Sequence, residues 1–157
     1  MKDHSLLYRR LAEARRWKKT TLELKGILIE NIPKQILTDP FQFKIVSLDL
    51  SYNRLRDIYG VGCLKNLQTL CVRNNLVEEI PQDLSTLCVL TVLDLSHNKI
   101  KDIPTHLGRL HELRIVNLSC NEVRYLPDSL VHCCKLERLH VNKNPIKNVP
   151  RDIFVQG

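Results

Sequence analysis

At 157 residues the chain is long enough for one ordinary domain and leaves little room for a second. Apolar residues make up 43% of it and aromatics only 5%, so its core must be aliphatic. The formal charge is +7, but residues 1–25 hold eight Lys/Arg against three acids, a net of +5. The other 132 residues therefore carry +2, which excludes a domain-wide basic footprint for nucleic acid or an anionic membrane.

Residues 1–18 read as a basic amphipathic helix. At ~100° per residue, Leu6, Leu7, Leu11, Ala14 and Trp17 fall within an arc of about 140°. Arg9, Arg15, Arg16 and Lys19 lie opposite, while Arg10 and Lys18 intrude on the apolar arc. One reading makes the helix a cap over the domain's first repeat, its charges merely solvated. Another makes it a basic arm that contacts RNA, another anionic partner such as an acidic protein, or a membrane surface. The two are compatible, because one face can cap while the other binds. Arg15-Arg16-Trp17-Lys18-Lys19 also fits a nuclear-import signal. No apolar stretch near the start is long enough for a signal peptide or a membrane span.

Residues 19–157 read as a domain of about six repeats. The first is degenerate: Leu22, Leu24, Ile29, Ile32-Pro33 and Ile36 hold its apolar places, and Ile27 stands where later units have Asn. Its start lies 26 residues before Ile45, with the extra length near Thr38-Asp39-Pro40. Thereafter the pattern L-x-x-L-x-L-x-x-N-x-L-x-x-I-P recurs from Ile45, Leu67, Leu90, Leu113 and Leu136, at spacings of 22, 23, 23 and 23 residues. The next apolar pairs, such as Leu48/Leu50 and Leu93/Leu95, alternate as a half-buried strand requires.

Asn53, Asn75, Asn98, Asn121 and Asn144 occupy the ninth place, where an inward amide can satisfy backbone groups of neighbouring coils. Ile80-Pro81, Ile103-Pro104, Leu126-Pro127 and Val149-Pro150 then end each unit's turn, since proline cannot continue a ladder. Apolar pairs three apart, such as Leu84/Leu87 and Leu107/Leu110, suit one helical or 3₁₀ turn on the outer face. The last unit stops abruptly: Ile153 and Phe154 would be covered by a partner, or the sequence is a fragment or short isoform. The expected fold is an α/β solenoid with a curved parallel sheet on its concave face, 3₁₀ or helical turns on its convex face and the N-terminal helix at one end.

The concave face shows the residues between the inward ones, so candidate contacts follow by column. They are Asp49, Tyr52, Arg73, Val92, Asp94, His97, Ile115, Asn117, Cys120, Arg138 and His140. The mixture of charge signs with a small apolar patch suits a protein ligand better than a phosphate backbone. Six strands ~4.8 Å apart and five residues deep present a face of roughly 400 Å². A standard interface buries about 800 Å² per partner, so a stable complex would also recruit an edge or the N-terminal arm.

Sharper chemistry finds little support. His97 and Cys120 share a column in adjacent units, yet no third group orients the histidine and an open sheet excludes no water. Six cysteines form no C-x-x-C pair, and the adjacent Cys133 and Cys134 suit neither a bridge nor a metal. Asn117-Leu118-Ser119 matches a glycosylation sequon but falls on a strand, and Gly60-Val61-Gly62 is a turn without the strand-loop-helix setting of a phosphate loop. No catalytic residue, metal or cofactor is expected, and the thiols are expected to be reduced, in the cytoplasm or nucleus.

Stretches such as Leu93-Asp94-Leu95-Ser96-His97-Asn98-Lys99-Ile100 resemble the leucine-rich-repeat proteins, specifically the 23-residue intracellular type with the Ile-Pro signature. That type is similar to plant Ras-group-related proteins and to animal scaffolds that bind Ras-family GTPases or sit at cell junctions. The unit with Ile58-Tyr59-Gly60 and no proline looks more like shorter phosphatase-regulator repeats. The resemblance implies a non-enzymatic adaptor or structural subunit of an intracellular assembly. The alternative is an RNA- or ribonucleoprotein-associated protein held by its basic helix.

Overall fold

The computed structural model describes residues 5–38 and 41–150. One helix, α1 (Ser5–Arg16), precedes six three-residue strands: β1 (Thr21–Glu23), β2 (Ser47–Asp49), β3 (Thr69–Cys71), β4 (Val92–Asp94), β5 (Ile115–Asn117) and β6 (Arg138–His140). Between strands the chain returns through short 3₁₀ turns, Gln82–Thr86 and Thr105–Arg109 among them. The strands form one parallel sheet in sequence order. Leu22, Leu48, Leu70, Leu93, Val116 and Leu139 pair along one row, so the register read from the period is the register observed. The α/β solenoid and its 3₁₀ turns are as expected.

Physical causes repeat with the coil. Leu48, Leu50, Leu70, Val72, Leu93 and Leu95 are fully buried, each worth ~1.5–3 kcal/mol of apolar burial. Between them runs a ladder of asparagines. Asn98 Nδ2 donates to Leu95 O in its own coil and Val72 O in the preceding one, both at 3.0 Å, and Oδ1 accepts from Val77 N at 3.0 Å. Asn75, Asn121 and Asn144 repeat this arrangement. Asn53 begins it by accepting from both Ile27 N and Ile29 N, so the coil that has Ile27 in place of Asn is held from its neighbour. The residue before each Asn (Tyr52, Asn74, His97, Cys120, Lys143) is left-handed, with φ between 54° and 58°. This kink turns the chain inward and brings the amide under the sheet.

On the convex side, side chains stitch neighbouring turns together. Asn66 Nδ2 donates to Phe43 O at 2.7 Å and Thr86 Oγ1 to Gly62 O at 3.0 Å. Asp83 Oδ2 accepts from Gly60 N (2.8 Å) and Gly62 N (3.2 Å). A Cβ at Gly62 would overlap the Asp83 carbonyl oxygen, so this glycine serves close packing of adjacent turns.

Helix α1 closes the first coil, burying Leu7, Leu11 and Ala14. Arg10 Nη1 donates to Glu23 O at 2.7 Å. In the second coil the matching Asp49 O accepts Leu24 N from the coil before, so Arg10 supplies the donor that a preceding coil would have provided. Its intrusion on the apolar arc is thereby explained. Arg15 stacks over buried Phe41, 5.3 Å from the ring centroid. The apolar arc itself needs correction, because Trp17 and Leu6 are 64% and 38% exposed. The helix ends at Arg16, and Lys18 is left-handed (φ 50°), so helical spacing no longer governs Trp17. Asp39, Pro40, Ile153 and Phe154 lie outside the described residues.

Candidate functional site

Strands β1 to β5 bury their central residue, β6 half-buries Leu139, and each turns its flanking two to the concave side. Two outward rows result. The outer row runs Thr21, Ser47, Thr69, Val92, Ile115, Arg138, and the inner row runs Glu23, Asp49, Cys71, Asp94, Asn117, His140. Asp49 and Asp94 each tie Oδ1 to the amide two residues on, Ser51 N at 2.8 Å and Ser96 N at 2.9 Å, and Asn117 binds Ser119 N at 3.1 Å. These local bonds hold the side chains upright on the sheet.

Along the next row, which strand alternation alone would turn outward, Ser96 is 1% exposed, and Ser51 and Ser119 are also buried. The left-handed residue that follows curls the chain toward the core, so a side chain as short as serine drops below the surface. Arg73, in the same row, reaches back to half exposure with its Nε buried and unpartnered, as is Ser96 Oγ. Beyond it, Tyr52 and His97 are exposed and Cys120 half-buried, and Lys25 Nζ sits 4.8 Å from the Tyr52 ring. Among the described residues the ion pairs are Arg114–Glu137 (2.5 Å) and Lys135–Glu112 (2.7 Å), both exposed. Asp49, Arg73 and Asp94 are in neither of these pairs.

Among the described residues the cysteines and histidines do not come together as a metal-holding cluster. Burial pushes the Cys71 thiol pKa up, a backbone hydrogen bond at Arg73 opposes this, and the Asp49 and Asp94 charges add to it. Cys133 is pushed up to about 11 by burial, then by Cys134. His97 and Cys120 follow one another along the left-handed row without a hydrogen bond between them. No group of three or more His, Cys, Asp or Glu among the described residues can hold a metal ion.

On α1, Arg9, Arg16 and Lys19 are exposed, while Arg15 is engaged with Phe41. Arg16 itself stacks over Trp17 at 5.3 Å. Glu23, absent from the contacts chosen by sequence, begins the inner row. The signal for it was the register of the degenerate first unit.

The Leucine rich repeat family matches residues 65–123 and 88–146, together 82 of the 157 residues. Tsukushi of Gallus gallus is 35% identical over 77 residues, 48% of this chain and 21% of that protein. A leucine-rich-repeat protein of Leptospira interrogans superposes with a TM-score of 0.76 at 31% identity, over 80% of this chain and 32% of its own. An internalin C2 of Listeria monocytogenes gives 0.74 at 24% identity, over 87% of this chain and 56% of its own, a likeness of fold. The chain thus spans a fifth to about half the length of these relatives.

These matches correct two expectations. The likeness runs to leucine-rich-repeat families of secreted or surface proteins, not specifically to an intracellular Ras-group type, and the cytoplasmic or nuclear placement falls with that subtype. The physical reason is that an Ile-Pro pair fixes the turn of each coil, whatever compartment surrounds it. The chain belongs to the leucine-rich-repeat family.

Proposed function

We propose that this protein is an adaptor or structural subunit that holds a protein partner on its concave face, with Arg9, Arg16 and Lys19 of α1 touching an anionic part of the same assembly. The observation that carries this reading is the pair of charges at the centre of the sheet, Arg73 and Asp94, which no ion pair within the described residues neutralises. Charges left open on a shallow sheet cost little in water and become selective when a complementary surface arrives. Val92, Ile115 and Tyr52 supply apolar contact beside them, and His97, Asn117, Cys120, Arg138 and His140 extend the surface. Because the sheet face measures only about 400 Å², the partner also engages an edge or α1.

Reversing both charges, Arg73→Glu with Asp94→Arg, leaves the protein folded and is expected to abolish capture of the main partner in quantitative affinity purification with mass spectrometry. Capture retained by the folded double variant moves the binding site off this face.

A further inference from the structure

The two outward rows of the sheet are charge-ordered along the solenoid. In these rows the first four coils carry Glu23, Asp49 and Asp94 and no cation, whereas the last carries Arg138 and His140 and no acid. Half-buried Val92 and Ile115 sit side by side between the two ends, paired in register on β4 and β5. Arg73 and Lys25 stand in the adjacent row, and Lys25 is turned onto Tyr52. Five strand spacings of ~4.8 Å make the track about 24 Å long, the span of roughly seven extended residues at ~3.4 Å each. A folded domain needs about twice the area this face offers, while a peptide segment does not.

We propose that these rows hold a short extended segment of the partner, lying along the solenoid axis. Its basic end faces Asp49 and Asp94, its aliphatic side chains rest on Val92 and Ile115, and its acidic end faces Arg138. The proposal rests on the concave-face reading above and specifies the chemistry of what occupies it.

The test is an NMR titration of the ¹⁵N-labelled full chain with two synthetic peptides of one composition. The first has charge blocks, Lys-Ser-Lys-Leu-Leu-Ser-Glu-Glu, and the second has mixed order, Lys-Glu-Ser-Leu-Lys-Leu-Glu-Ser. The block peptide is expected to shift the amides of Asp94, Ile115 and Arg138 with a Kd of about 1 mM, and the mixed one to bind at least about fivefold more weakly. Asp94→Lys, and separately Arg138→Glu at its exposed position, each weaken the block peptide by a similar factor in a chain that remains folded.

Equal affinities, retained affinity in both variants, or no shift with either peptide overturns the proposal. So does a single-stranded RNA oligomer of about eight nucleotides that moves these amides where the peptides do not. Partner capture that still depends on Arg73 and Asp94 would then leave the broader reading standing, because that experiment does not use the peptides.

Discussion

Asn98 and Ser96 lie two residues apart, both are buried, and they do opposite things. Asn98 makes hydrogen bonds to Leu95, Val72 and Val77 that join two coils. Ser96 Oγ makes none. Replacing Asn98 by Ala strands the buried Val77 amide and takes one of two amide donors from Leu95 O and from Val72 O, and should lower unfolding free energy by about 1–3 kcal/mol in a urea melt. Ser96→Ala removes a hydroxyl that is already unsatisfied and should leave stability within about 0.5 kcal/mol or raise it. Equal losses would mean that the amide ladder is not what joins the coils. The sequence pointed to Asn98 through its period, because an invariant place in a repeat marks a shared structural need. It could not place Ser96, since the depth of a serine below a sheet depends on the backbone turn that follows it.

At the scale of elements, α1 is a cap that also presents charge, and its two faces are separable by mutation. Leu11→Ala empties a core position 4% exposed and should cost about 2–4 kcal/mol, whereas Trp17→Ala, on a side chain 64% exposed, should cost under about 0.5 kcal/mol. Comparable losses in thermal or urea melts would return Trp17 to the buried face. Exchanging Arg9, Arg16 and Lys19 for Gln should preserve the fold and weaken an anionic partner in a salt-dependent way, which binding measured at low and high salt would show. Arg15 is excluded from this set because its guanidinium packs on Phe41, and Arg10 because it serves the edge of β1. Helical periodicity identified Leu7, Leu11 and Ala14 as inward. It also ran the helix on to residue 18 and turned Leu6 and Trp17 inward, whereas the helix ends at Arg16 and both side chains are exposed.

Across the whole molecule, stability passes from coil to neighbouring coil. Asn98 and Asn121 both donate to Leu95 O, at 3.0 Å each, so either alone leaves that carbonyl one partner. Removing both should cost at least about 0.5 kcal/mol more than the sum of the single changes, while Asn53 and Asn121, three coils apart, should add within about 0.5 kcal/mol. Additivity in both cycles would show that the ladder acts as independent amides. The sequence by itself determined the solenoid, its register and the inward columns, because a 23-residue period repeated in apolar and Asn positions admits one way of burying them. Tertiary structure alone decided that Arg10 completes the edge of β1, that Ser96 is covered, and that Arg73 and Asp94 enter neither ion pair among the described residues. Each of these depends on where side chains from different coils meet in space, and spacing along the chain does not contain that distance.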